Sequence, residues 1–409
     1  MALPKLNLTF SNGNIGTVVP LEDGIFGVIA SAVAVVDKFE LNTVYTLKGM
    51  QDVAARGIVP SADNYVLYKW LSEYFAEAGE GSEIWLLGLA RDTKVSDWFT
   101  PDVVTGKEPA SKLMDAANGR LTGLFTAFSP DGDYTPTVED ARDADVAIAR
   151  AKAQTFAEKY TGLYYTPIFV VLELYGFTGD AVAVPTLLEG SDNRTQIFVG
   201  DTKMATTVPA TKGTSSGEYA GRLARIPLNQ NPGRVRTGSV ATTTAYIVDT
   251  AVESFDVEAL HDKGYVTYRT HVRKSGYYFT DGPMATEPED DYSQINRRRV
   301  IDKAFRIAHN TAVEELLEDF DLNNDGTVSA IYAKGVEANI ERAIFNEMTA
   351  SGELSRDQSN KDDLGVKALM DLTVNVAQTN SLKMKLSVRP RGTNRFFDIT
   401  LGYQLNLNN

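Results

Sequence analysis

Hydrophobic and polar positions alternate along this chain with two periods, one helical and one extended. Residues 61–78, SADNYVLYKWLSEYFAEA, put Leu67, Trp70, Leu71, Tyr74 and Phe75 on one face at three- and four-residue spacing, which predicts an amphipathic helix. GEGSEIWLLGLA then predicts a turn and a strand, and LTGLFTAF (121–128) a second strand. Residues 137–160 predict a helix, followed by the strands PIFVVLELYGF and TQIFVGDT. After Gly24 the run GIFGVIASAVAVV suits a buried strand or a short helix, and periodicity leaves both open. Strands alternating with helices predict a mixed α/β (α+β) architecture in layers.

Residues 200–238 are rich in Gly, Ser, Thr and Pro, marking either a boundary or an irregular face. VEALHDKGYVTYRTHVRKSGYYFTDGPM then reads as a short helix, a strand, a turn and a strand. The strongest helix spans 293–320, with Ile301, Ala304, Phe305, Ala308, Ala312, Leu316 and Phe320 as its apolar stripe. Another helix is expected at 336–348.

Both ends of the chain alternate. In SLKMKLSV, Leu382, Met384, Leu386 and Val388 share one face; beyond RPRG, so do Phe397, Ile399, Leu401, Tyr403 and Leu405. Near the N-terminus Leu6, Leu8 and Phe10 alternate with Asn7 and Thr9. A terminal strand of this kind can close its own sheet or add to the edge of another chain, and the residues alone leave both open.

Composition narrows the function classes. The chain has 409 residues, 43% of them hydrophobic, and a net charge of −14, which argues against a general binder of nucleic acid or anionic membrane. Without cysteine there is no disulfide, thiolate nucleophile or Cys-ligated metal, and three scattered histidines make a histidine metal centre a poor expectation. No signal-peptide plan is visible at the N-terminus, and the apolar runs fall short of the ~20 residues of a membrane span. The expectation is a soluble protein made in the cytoplasm, with no cofactor and no membrane insertion.

Two motifs invite chemistry. Gly213-Thr-Ser-Ser-Gly217 matches the G-x-S-x-G of a hydrolase nucleophile elbow, with Ser215 as nucleophile and His261, His271 and His309 later in the chain. Such an elbow needs a buried strand before the serine, and TTVPATK is polar and broken by Pro209. DLNNDGTVSAIY (321–332) offers Asp321, Asn323 and Asp325 at the first, third and fifth positions of a calcium loop and Gly326 at the sixth. Its twelfth position, where a bidentate Glu belongs, is Tyr332. A corner that ends the long helix is the simpler reading. That helix also carries Arg297, Arg298 and Arg299 early and Glu314, Glu315 and Glu318 late, opposing its macrodipole, which suits either charges held for partners or a solvated face with incidental polarity.

The chain resembles the contractile tail sheath proteins of bacteriophages, tailocins and related contractile injection systems. The resemblance runs through VYTLKGMQDVAARGI, NYVLYKWLSEYFAEAGEGSEIWLLGLA and AGRLARIPLNQNPGRVRTGSV. It is most specific in GYVTYRTHVRKSGYYFTDGPMAT, YSQINRRRVIDKAFRIAHNTAVEEL, NEMTASGELS and the closing strands. It implies a structural subunit, not an enzyme, that polymerises as stacked rings around an inner tube and contracts to drive the tube through an envelope. The implied partners are further copies of the chain, the tube protein, and baseplate and terminator proteins, in a particle assembled in the bacterial cytoplasm. The implied plan is an N-terminal arm (1–20), an outer α/β domain (21–245), a sheath core domain (246–392) and a C-terminal arm (393–409). In that family the arms donate strands to neighbours, which would give Leu6, Leu8, Phe10, Phe397, Ile399, Leu401, Tyr403 and Leu405 an inter-subunit role. Arg297, Arg298, Arg299, Glu314, Glu315 and Glu318 would be lattice contacts, and either 336–348 or 361–371 would face the tube.

Overall fold

The computed structural model describes residues 22–61 and 63–403, so Leu6, Leu8, Phe10 and Leu405 lie outside the described residues. The chain forms two compact units that divide between Leu317 and Glu318.

The first unit is built on β1 (Phe26–Ser31), β2 (Val44–Leu47), α1 (Tyr65–Ala78), β3 (Ile84–Leu89), β4 (Gly123–Ala127), α2 (Asp145–Leu163), β5 (Phe169–Glu173), β6 (Thr195–Phe198), α3 (Gly217–Arg225) and α4 (Ile295–Val313). Its six strands form one sheet in the order β2-β3-β1-β4-β5-β6, parallel throughout except for β2 against β3. Every residue of β1, β4, β5 and β6 is buried, so the continuous apolar run after Gly24 is a strand. A parallel strand covered on both faces has no polar side to show, which is why periodicity could not identify it.

Helix α1 buries the face read from sequence, including Trp70 and Tyr74, whose rings stack 6.0 Å apart. It lies so close to α3 that a Cβ on Gly221 would stand 2.6 Å from the Tyr74 carbonyl oxygen, and one on Gly217 would also overlap the Trp70 carbonyl. Helix α2 starts later than expected. Val138–Glu139 and Arg142–Asp143 pair as a tight hairpin whose corner, Asp140 and Ala141, is left-handed.

Residues beyond 245 do not leave this unit. Tyr265, Val266, Tyr268, Phe279, Met284 and Ile295 belong to the same buried core as the sheet, and Val266 bridges Phe198 at the end of β6. The composition shift at 200–238 is therefore an irregular face, and the boundary expected at 245/246 lies instead after α4. That helix ends at Val313 and is turned relative to the expected stripe. Phe305 and Leu316 are exposed, whereas Arg298, Arg299, Val300, Ala304 and Ile307 are buried.

The second unit holds α5 (Ala330–Ile344), β7 (Val366–Met370) and β8 (Met384–Val388). Helix α5 begins six residues before the expected 336, because Ser329 caps it by accepting the Tyr332 N–H at 3.3 Å. β7 and β8 pair antiparallel from Val366↔Val388 to Met370↔Met384, with the alternation read from SLKMKLSV. Beyond them residues 396–403 join no strand ladder among the described residues.

Candidate functional site

Ser215 is not a nucleophile at the mouth of a cleft. It is 2% exposed, its residue follows a 3-10 turn (Pro209–Thr211) and not a strand, and its hydroxyl donates to Glu73 Oε2 at 2.5 Å. No histidine is among its partners. The glycines of the motif have structural causes: Gly213 has φ +83°, and Gly217 lets α3 approach α1.

Around Ser215 lies a buried polar cluster. Lys69 Nζ reaches Glu73 Oε1 and Asp201 Oδ1, each at 2.6 Å, and Thr202 donates to Glu73. At the C-terminal end of β5, Glu173 Oε1 accepts the Ser216 N–H at 2.8 Å, and the Trp70 indole donates to the Ser216 hydroxyl at 3.0 Å. Doubly wound sheets bind ligands outside the carboxyl ends of their strands. Here the first turn of α3 and these side chains fill that position. Burial pushes Glu173 and Glu218 up to about 8, and it raises Glu73 although Lys69 pulls the other way.

The 321–332 loop is a corner. Leu322 bridges Val328, and Gly326 takes φ +79° at the turn. Asp325 Oδ1 accepts from the Thr327 N–H at 3.0 Å and from its hydroxyl at 2.7 Å, while the Asn323 amide donates to Thr327 and to the Val328 carbonyl. Asn375 Nδ2 holds the Asp325 carbonyl from outside the loop. Asp325 Oδ1, one of the oxygens a cation would want, is thus committed to the turn's own hydrogen bonds. Among the described residues no three acidic, histidine or cysteine side chains gather to hold a metal.

The arginines of α4 divide. Arg194 donates to both oxygens of Asp302, each at 3.1 Å, and Arg298 donates to Asp302 Oδ1 at 2.7 Å, all three residues being buried. Arg299 donates to the Asp23 carbonyl at 3.1 Å, and Lys303 pairs with Asp23 Oδ2 at 2.7 Å. Arg298 and Arg299 are thus buried, and Arg299 fastens α4 to the segment at Asp23. The Arg298 charge is answered by Asp302 one turn on, and Arg299 donates to a carbonyl of a distant segment. Arg297, Glu314 and Glu318 face solvent, and Glu315 is half-buried.

The second unit carries a run of exposed apolar side chains. Phe396, Phe397, Ile399, Leu401 and Tyr403 are all at least 73% exposed. No backbone hydrogen bond ties 396–403 to another described residue. Beside them stands a two-stranded sheet with two outer edges. Arg389 N–H bonds the Gly365 carbonyl and Asp371 N–H the Lys383 carbonyl, so with a period of two the N–H groups of Ala368 and Met370 point away from β8. These two are taken by α5: Ala368 N–H by Glu341 Oε1 and Met370 N–H by Glu337 Oε1, both at 2.8 Å. On the other side, no described residue bonds the outward backbone groups of Met384, Leu386 and Val388. Sequence reading missed Glu337 and Glu341, for which the only signal was two acids at i, i+4 on a helix. Among the described residues no helix is long and apolar enough to cross a membrane.

This is the fold of contractile sheath proteins. A chain of the anti-feeding prophage baseplate matches with a TM-score of 0.62 at 13% identity, covering 99% of this chain and 100% of that one. A chain of the helical sheath of the same particle, in its contracted state, matches at 0.61 and 14%, with the same coverage. A chain of the PVC sheath complex, an extracellular contractile injection system also in the contracted state, matches at 0.59 and 11%, covering 99% and 98%. The sequence matches the family models DUF2586, N-terminal domain, over residues 3–283 and DUF2586, C-terminal domain, over residues 291–408, and the chain belongs to the DUF2586 family. No curated protein matches it significantly.

Proposed function

We propose that the protein is the structural subunit of a contractile sheath, polymerising as helically stacked rings around an inner tube and contracting to drive that tube through a cell envelope. The observation that carries the proposal is the exposed, alternating segment 396–403 beside an open strand edge, in a chain whose whole length shares the sheath fold. A fold alone hosts many functions, so the unpartnered strand is what favours assembly. Donated to a neighbour, it gains main-chain hydrogen bonds and covers its apolar side chains. Strand-bonded arms act as hinges while the rigid units move between two packings. Arg297, Glu314 and Glu318 remain the exposed charges of the α4 region open to lattice contacts, and Leu6, Leu8 and Phe10 would form the second arm. Partners would be further copies, a tube protein, and baseplate and terminator proteins. The work of such a subunit is mechanical and needs no catalytic group or cofactor. Its place is a phage tail or injection particle assembled in the bacterial cytoplasm.

Electron microscopy of the purified full chain tests this reading. Tubes or sleeves are expected, and deletion of residues 395–409 should leave soluble, unpolymerised chains. Polymers that persist after the deletion would refute arm exchange.

A further inference from the structure

We propose that strand addition to the β7–β8 hairpin is one-sided: the arm of a neighbouring copy pairs with β8, and Glu337 and Glu341 hold the β7 edge closed against it. The inference rests on the arm-exchange reading and names the edge where exchange occurs.

The two edges differ in their free groups. At β7 the outward N–H groups of Ala368 and Met370 already have carboxylate partners at 2.8 Å. The fit follows from two repeats: four helical residues advance about 6.0 Å and two strand residues about 6.6 Å. Acids at i and i+4 on α5 therefore fall on alternate N–H groups of a strand that runs antiparallel to it. Each carboxylate is steadied from the side, Glu341 by Lys367 at 3.0 Å and Glu337 by Lys334. A strand arriving here would have to displace both acids and set its carbonyls against them. That is a charged edge of the kind that blocks pairing.

At β8 nothing described occupies the outward groups, and the side chains invite extension. Val366, Ala368 and Met370 are buried under α5, and their cross-strand partners Val388, Leu386 and Met384 are only half covered. The apolar strip thus ends unfinished at β8. Phe397, Ile399, Leu401 and Tyr403 have the same period of two and would continue it on the same face.

The chain has no cysteine, so introduced pairs report directly. Ser387 and Lys367 are exposed, directly opposite one another and on one face. In polymers of the full chain, Ser387→Cys combined in turn with Asp398→Cys and Thr400→Cys should give inter-chain disulfide ladders under mild oxidation. Side chains on adjacent strands lie about 5 Å apart and those two strands away about twice that, beyond disulfide reach. Lys367→Cys with the same arm positions should therefore cross-link at least about tenfold less, a difference of about 1.4 kcal/mol. Stronger ladders from position 367 would overturn the choice of edge and leave arm exchange standing. No inter-chain ladder from either position, in intact polymers, would overturn both. In a second arm, Glu337→Ala/Glu341→Ala should raise cross-linking at 367 and leave that at 387 unchanged. An unaltered 367 signal in a folded, polymer-forming double variant would show that the acids do not seal the edge.

Discussion

Arg222 Nε lies 2.5 Å from Glu77 Oε1, with both side chains 1% exposed. The pair joins α3 to α1 at the point where two glycines bring the helices together. The same guanidinium also donates to the carbonyls of Gly238 and Ser239, and Glu77 Oε2 accepts the Ala241 N–H, so the pair pins the irregular 238–241 stretch to the core. Removing Glu77 strands the buried Arg222 charge, and removing Arg222 leaves Glu77 with only the partly exposed Arg225, 3.5 Å away. Arg222→Leu or Glu77→Leu should each lower unfolding free energy by about 3–5 kcal/mol. The double substitution should cost less than the sum of the singles. Urea unfolding of the arm-deleted chain, analysed as a double-mutant cycle, measures this; additive losses would mean the pair does not act as a unit.

The carboxylates of the buried cluster give unit 1 a pH dependence of definite sign. Glu173 and Glu218 rise from 4.5 to about 8 because burial disfavours their charge. A raised carboxylate means that the folded state holds its proton more tightly than the unfolded chain. Their contribution is fully present below about 4.5 and is lost as pH rises through about 8. The thermal midpoint of the unpolymerised chain should fall across that window, and Glu173→Gln should flatten the slope. A midpoint that rises from pH 5 to 8 would contradict the assignment.

Ser215 should behave as a packing residue. Ser215→Ala removes the hydroxyl donor to Glu73 Oε2 and leaves a buried acceptor short of a partner, which costs about 1–3 kcal/mol. Polymer morphology should be unchanged. A fluorophosphonate probe should leave the wild-type chain unlabelled, and stoichiometric labelling at Ser215 would reopen the hydrolase reading.

Charges on the arm should stop assembly without touching the fold. Ile399 and Leu401 are 73% and 93% exposed, so Ile399→Asp/Leu401→Asp removes no intramolecular packing. The thermal midpoint of the unpolymerised chain should stay within about 2–4 °C of wild type, the shift expected from about 1 kcal/mol or less. Sedimentation should find the double variant only as small species. Normal sleeves from it would exclude an apolar docking role for this face.

Much of the molecule was legible in local patterns, and the failures share one cause. The face of α1, the alternation of β8 and the helix–strand succession follow from period alone, because each reflects a single surface packing against one layer. Helix α4 misled. Its arginines look like a solvated or partner-facing run, yet Arg298 is fixed by Asp302 one turn on, a carboxylate it shares with Arg194, which lies 108 residues before Asp302 in the chain. Likewise the composition shift at 200–238 suggested a boundary, while the Val266 and Phe279 side chains return to the sheet core. A buried ion pair or a long-range core contact leaves no periodic mark.

The sequence by itself determined the buried face of α1, the succession of helices and strands and the alternation of β8, since these depend on neighbours a few residues apart. It also marked 321–326 as turn-forming, through residues that tolerate left-handed backbone. Only the tertiary structure decided that Ser215 is sealed against Glu73, that Arg298 and Arg299 are internal fastenings, and that Glu337 and Glu341 reach over the β7 edge. Each of those depends on which distant groups meet in a low-dielectric interior or across a sheet edge, and chain proximity does not encode that meeting.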